Sequence, residues 1–282
     1  MSINPSCPNR SDHVSPQLGE ADRADAALRL LQAYESGVAI PPLTTTQPGL
    51  TVEDAYDIQL RQVARWTAQG RKIAGHKVGL TSAAIQRQLG VDSPDYGHLF
   101  ADSFHLESQP VPVGAYLNPR IEPEIGFVLR TPLAGPGVTV ASALDAIGYA
   151  VASLEIIDSR IEDWRISLPD TIADNASSGG VVLGSVPVPL DTLDLRTTGV
   201  VLRRNGRIEQ TGAGAAVLGS PVNALVWLAN TVGALGVRLE AGAVVLPGAL
   251  TAAVDVSPGD TVTATFAHLG SVTATFAAAS QE

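Results

Sequence analysis

Two apolar stripes at helical spacing open the chain. Between Asp22 and Tyr34, Ala26, Leu30 and Ala33 recur beside Ala27, Leu31 and Tyr34 until Glu35-Ser-Gly ends the pattern, which predicts a first helix. After Pro41-Pro42 and a threonine run, Thr51 precedes Asp54 by three positions, the spacing of a capping box. Tyr56, Leu60, Val63 and Ala64 then carry a second helical stripe to Gly70. From residue 71 the texture changes to short β-rich runs punctuated by Gly and Pro. Strands are expected at 73–80, 120–130, 149–158, 180–184, 198–203 and 243–247, and helices at 140–148 and 221–235. Two copies of VTATFA, at 262–267 and 272–277, predict a closing hairpin with a four-residue loop. Helices lead and strands follow, a segregation that favours an α+β fold over a doubly wound parallel sheet. The expected division is a disordered tail at 1–20, a helical region at 21–72 and a β-rich core at 73–282.

Composition narrows the function classes. The chain has 282 residues, and 45% apolar content suffices for a large core. Apolar runs such as Gly180-Val-Val-Leu-Gly184 stop far short of the ~20 residues a membrane helix needs. The first residues lack the apolar block of a secretory signal, so a cytoplasmic protein without a membrane partner is expected. Cys7, the sole cysteine, excludes a disulfide framework or thiolate metal cluster within one chain. A formal net charge of -10 argues against a nucleic-acid partner, because phosphate binding needs a clustered positive field. Among 18 cationic residues Lys72 and Lys77 are the sole lysines, which draws attention to each.

Candidate chemistry begins in Asn118-Pro-Arg-Ile-Glu-Pro-Glu-Ile-Gly-Phe-Val-Leu129. Strand side chains alternate faces, so Glu122 and Glu124 share one face while Ile121, Ile125, Phe127 and Leu129 take the other. Pro123 between them cannot donate to a ladder, which points to an edge or a bulge. Glu155 is the lone charge in Ala150-Val-Ala-Ser-Leu-Glu-Ile-Ile157, a run that otherwise reads as a buried strand. Three glutamates make an all-oxygen site suited to a hard cation such as Mg²⁺, with Mn²⁺ or Ca²⁺ as alternatives. The competing account pairs Glu122 and Glu124 with Arg120 or Arg130, and Glu155 with a buried arginine.

Lys77 sits in an apolar strand between Gly75 and Gly79, where a ligand could approach closely. Near the carboxylates it would balance charge, and it could exchange protons if burial lowered its pKa; a snorkelling surface lysine is the alternative. Asp95 and His98 are acid–base candidates in what reads as a turn-rich loop, 90–100. Asp174-Asn-Ala-Ser-Ser-Gly-Gly180 reads as a polar turn whose Asn175 and Ser177 could donate to a substrate carboxylate.

Taken in order, GHKVGLTS, QLGVDSPDYGHLF, PRIEPEIGFVL, SLEIIDSRIEDW, ADNASSGG and PGALTAAVDVSPGDTV closely resemble the 2-hydroxypenta-2,4-dienoate (2-oxopent-4-enoate) hydratases of the fumarylacetoacetase superfamily, from residue ~22 to ~278. The resemblance implies a mixed β-roll core preceded by helices, and a homo-oligomer built from pentamers, as a pentamer or decamer, that could associate with other pathway enzymes. It implies a divalent metal, Mg²⁺ first, on Glu122, Glu124 and Glu155, with Lys77 and Asp95 catalytic and Asn175 and Ser177 on the substrate side. The implied reaction adds water to a small 2-hydroxydienoate in aromatic or steroid catabolism, giving 4-hydroxy-2-oxopentanoate. Two other readings remain open: a 2-oxo-3-hexenedioate (4-oxalocrotonate) decarboxylase, whose second carboxylate would need a cation such as Arg160 or Arg165, and a non-catalytic partner of another enzyme.

Overall fold

A computed structural model describes residues 18–278, apart from the side chains of Gln88 and Leu89. Cys7 and most of the expected tail lie outside the described residues. Helix α1 (Glu20–Ser36) already begins at the last position of that tail and ends on Gly37 in the left-handed conformation. A single turn, α2 (Leu43–Thr46), leads to α3 (Val52–Ala68). The Thr51–Asp54 capping box is present, and Ala55, Ile58, Val63 and Trp66 form the buried face of α3.

The remaining elements are, in chain order, β1 (Ile73–Gly79), α4 (Ala83–Leu89), β2 (Asp95–Phe100), β3 (Phe104–His105), β4 (Arg120–Leu129), α5 (Val140–Ala146), β5 (Ile147–Ile157), α6 (Leu168–Ala173), β6 (Ser178–Leu183), β7 (Gly199–Arg204), β8 (Arg207–Ala213), α7 (Pro221–Ala234), β9 (Val244–Leu246), β10 (Val254–Asp255), β11 (Thr261–Phe266) and β12 (Gly270–Thr275). One mixed sheet runs β2-β1-β9-β4-β5-β6-β3, with β10 also on β4; a second, antiparallel sheet runs β12-β11-β7-β8. This is the expected α+β arrangement, helices before a curled mixed sheet.

Each face of the large sheet has its own role. Ile121, Ile125, Phe127 and Leu154 point into the main core, shared with Val200, Leu202, Val262 and Val272 of the second sheet and with Leu225 and Leu228 of α7. The opposite face carries a small apolar cluster of Leu99, Val181, Val244 and Leu246, and beside it the charged residues described below. The stretch Gly214–Ala234 is apolar enough, by length and composition, to cross a membrane. However, α7 itself is 14 residues long and buries Val222, Ala224, Leu225, Leu228, Ala229 and Val232 in the core.

Several expectations need correction. Residues 95–100 form a buried strand, not a loop: Asp95 is its first residue and pairs with Gly79 of β1. Polar and turn-forming residues mask this strand in the sequence because Asp95 and the glycine at 97 lie on the sheet face turned away from the main core. Pro123 marks neither an edge nor a bulge. It pairs in register with Leu154 of β5, and its other side faces the break between β9 and β10, where Leu250 N–H donates to its carbonyl at 3.0 Å. The closing hairpin is tighter than expected, since Phe266 pairs with Gly270 and leaves three residues in the turn.

Candidate active site

Strand register brings the acids together. In the antiparallel β4–β5 pair Glu122 lies opposite Glu155 and Glu124 opposite Ser153, so all four side chains rise from one face. One carboxylate oxygen from each of Glu122, Glu124 and Glu155 lies within 4.8 Å of the others. Glu124 and Glu155 are fully buried and Glu122 partly exposed. Gly248 N–H donates to Glu124 Oε2 at 2.7 Å, and Ser153 Oγ donates to the Glu124 carbonyl at 2.8 Å.

The arginine alternative does not hold. Arg120 pairs with Asp255 and Arg130 with Asp145, both toward solvent. The cation at the cluster is Lys77: β1 places it on the same sheet face, with Nζ 3.4 Å from Glu155 Oε1 and donating to the Ala176 carbonyl at 2.9 Å. Lys77 is buried, so it does not snorkel. Burial pushes its pKa down, but the carboxylates of Glu155, Asp95, Glu122 and Glu124 outweigh that and hold it above the ordinary lysine range. The expected lowering by burial is therefore reversed by the company the lysine keeps.

The glutamates are pushed the same way. Burial first, and the Glu155 charge second, raise the Glu122 carboxyl to about 7. Glu124 is raised by burial and by Glu155 against the pull of the Gly248 N–H, and Glu155 is raised by burial against the pull of Lys77. One lysine cannot compensate three carboxylates so close together. Oε1 of Glu124 and both carboxylate oxygens of Glu155 are buried without a hydrogen-bond partner. Buried orphan acceptors are costly, and a hard cation is the group that satisfies several at once. The donor set therefore fits a divalent cation.

Asp95 completes the cluster. Its carboxylate lies over Gly79, where a Cβ would sit 2.2 Å from Oδ1, so a side chain at 79 would displace the acid. Burial raises its pKa against the pull of Lys77, the Gly79 N–H and the Thr171 hydroxyl; Oδ1 has no hydrogen-bond partner. His98 belongs elsewhere. Alternation along β2 turns it to the opposite face, against His76 at 4.9 Å between ring centroids, where burial lowers its pKa to about 4.

The turn at 175–177 roofs the site. Asn175, Ala176 and Ser177 all take left-handed φ of 52°, a strained choice at about 1–3 kcal/mol each for residues other than glycine. Asn175 does not point its amide into the cluster: Oδ1 accepts from His98 N–H at 2.8 Å and Nδ2 donates to the His98 carbonyl at 2.9 Å. Ser177 Oγ lies 3.1 Å from Thr171 Oγ1. Thr171, Ser153 and Gly248 escaped the sequence reading. Thr171 rides on α6, whose Ser167–Asp170 capping box was a legible signal; the other two act through a backbone contact that no pattern announces.

A model of the fumarylacetoacetate (FAA) hydrolase C-terminal family matches residues 70–277. The chain belongs to this family. This FAA hydrolase family member is 47% identical over 254 residues to a 2-keto-4-pentenoate hydratase of Paraburkholderia xenovorans (strain LB400), covering 90% of this chain and 94% of that one. It is 46% identical over 254 residues to the TodF product hydratase of a Pseudomonas putida strain, covering 90% and 95%. Among solved structures it superposes on the 4-oxalocrotonate decarboxylase of Pseudomonas putida G7 complexed with magnesium and adipate, with a TM-score of 0.88, 39% identity, and coverage of 92% of this chain and 98% of that one. The same decarboxylase complexed with calcium and acetate gives a TM-score of 0.87.

Proposed function

We propose that this protein is a divalent-metal-dependent hydro-lyase that adds water to 2-hydroxypenta-2,4-dienoate (2-keto-4-pentenoate) to give 4-hydroxy-2-oxopentanoate. The observation that carries the reading is a three-glutamate cluster joined to a buried lysine, on a chain 47% identical over 254 residues to a 2-keto-4-pentenoate hydratase.

In this reading Glu122, Glu124 and Glu155 would hold the cation, and Mg²⁺ is the ion of choice for oxygen ligands beside an organic acid. When bound, the cation supplies Lewis acidity toward the carboxylate and neighbouring oxygen of the substrate. Lys77, held protonated by the surrounding carboxylates, delivers a proton to carbon 5 and is reprotonated by the proton leaving the 2-hydroxyl, which leaves an α,β-unsaturated ketone. Water then adds its oxygen at carbon 4 and a proton at carbon 3. Asp95 accepts a proton from that water and returns it to carbon 3: burial raises its pKa, which makes it a stronger base than an exposed aspartate, and Oδ1 is free to take the hydrogen bond. Ser177, with capacity beyond its contact to Thr171, is the proposed substrate-side donor.

Decarboxylation of 2-oxo-3-hexenedioate is the second reading, favoured by the likeness to the decarboxylase. Its extra carboxylate calls for a free cation, and neither candidate is free. Arg160 is buried with Nε 2.7 Å from Asp174 and Nη1 3.4 Å from Asp158, and Arg165 pairs with Glu162. Metal-dependent loss of dienoate absorbance, with 4-hydroxy-2-oxopentanoate identified by NMR, tests the hydratase. Release of carbon dioxide from 2-oxo-3-hexenedioate at a greater kcat/KM would replace it with the decarboxylase, and inactivity on both would leave the non-catalytic reading.

A further inference from the structure

We infer that Asn175 is a positioning residue for Lys77, and that the left-handed turn it anchors exists to aim one backbone carbonyl at the lysine Nζ. The inference rests on the proton-transfer role proposed for Lys77.

Lys77 has to be held in one rotamer among acids that could each draw it off line. Its Nζ sits 3.4 Å from Glu155, a contact that alone leaves the long side chain free to slide along the carboxylate. The Ala176 carbonyl, 2.9 Å from Nζ, fixes the second direction. That carbonyl points inward because residues 175–177 all adopt φ of 52°; in an ordinary right-handed or extended turn it would point elsewhere. Side chains of this type do not hold such a run on their own, so an anchor is required.

Asn175 is that anchor. Its amide makes both hydrogen bonds that a neighbouring strand would make with His98, receiving one N–H at 2.8 Å and giving one to the carbonyl at 2.9 Å. The turn is thereby stitched to β2, which is in turn paired with β1, the strand that carries Lys77. Gly97 opposite Lys77 makes the approach feasible, since a Cβ there would lie 2.3 Å from the Asn175 carbonyl oxygen. With its amide oxygen and nitrogen both engaged by His98, Asn175 acts on the reaction through Lys77 and not by touching substrate. A local Asn in the left-handed region is ordinary turn chemistry; a buried one bridging two backbone groups of another strand, one residue before the lysine's acceptor, is a device.

The test is a double-mutant cycle on the metal-loaded enzyme with 2-hydroxypenta-2,4-dienoate. Asn175→Asp keeps the acceptor for His98 N–H but loses the donor to its carbonyl. It is expected to lower kcat about 10- to 100-fold with KM and Mg²⁺ affinity within about twofold, and to cost nothing further in a Lys77→Ala background. A rise in KM at unchanged kcat would mean direct substrate contact and overturn the inference. So would an equal loss of kcat in the Lys77→Ala background. Full turnover by Lys77→Ala alone would instead overturn the role of the lysine itself. If Asn175→Asp does not fold, Asn175→Gly is the second arm: glycine accepts φ of 52° without strain but removes both hydrogen bonds to His98, so kcat is expected to fall with KM within about twofold. Unchanged kcat in that variant would count against the device.

Discussion

In the proposed reading each glutamate in the cluster would act as a ligand and as a source of strain, and the two aspects can be separated by substitution. Glu122→Gln removes one charge and keeps the shape. Mg²⁺ affinity is expected to fall at least 10-fold, read by calorimetry, while the far-UV spectrum and melting temperature of the metal-depleted protein stay the same or improve, because like-charge repulsion is relieved. Lys77→Arg is a sharper probe. Arginine restores the positive charge beside Glu155 but cannot give up its proton, so metal binding is expected to survive while kcat drops by about 10²–10⁴-fold. Unchanged turnover in the arginine variant would show that Lys77 contributes charge alone. At this scale the site was legible: an acid in an apolar strand, two acids on one strand face, and a lysine in a chain nearly without lysine each break a local rule. Asn175 was the residue whose amide could not be placed from its sequence, because the groups it bonds lie 77 positions away.

Strand pairing carries a separate prediction on the far side of the site. The β1–β2 register sets His76 against His98, and burial lowers their pKa values to about 3 and about 4. A base whose folded pKa lies below its unfolded value of about 6.5 contributes full stability above that pH, and loses it as pH falls through the folded value. Stability is therefore expected to decline below pH about 6.5 by about 1.4 kcal/mol per unit for each ring, measured by urea unfolding against pH. A His76→Phe, His98→Phe variant should flatten that decline; an unchanged slope would assign it to other groups. Long elements such as α3, β4 and β5 were readable from periodicity because each carries enough apolar positions on its core face to set the period despite the polar residues among them. Strand β2 was hidden because the face it turns from the core carries Asp95 and Gly97 before Leu99, and α6 because at six residues it is shorter than two helical turns.

At the scale of the molecule the helical segment and the β core meet behind the site. Gln59 and Gln62 of α3, both fully buried, donate to the carbonyls of Tyr96, Ile172 and Ala173 at 2.7–3.0 Å, tying the helices to β2 and α6. Gln62→Met should lower the melting temperature by a few degrees through loss of about 1 kcal/mol, measured by thermal unfolding. The order of elements, helices and then sheet, followed from the chain pattern, whereas the mixed pairing of the eight-stranded sheet did not, because β9 and β10 are three and two residues long and acquire meaning only between their neighbours. A cation that binds the folded glutamate cluster alone stabilises the whole chain by mass action, by about 2.7 kcal/mol at a hundredfold excess over Kd. The most direct measurement is a Mg²⁺ titration of the chelator-stripped protein, following turnover of 2-hydroxypenta-2,4-dienoate and melting temperature on the same samples. Activity should rise from nothing and saturate with one ion per chain as the melting temperature climbs, and both responses should vanish in Glu122→Gln. Full turnover in the presence of excess chelator, or a Mg²⁺ response untouched by that substitution, would contradict the account.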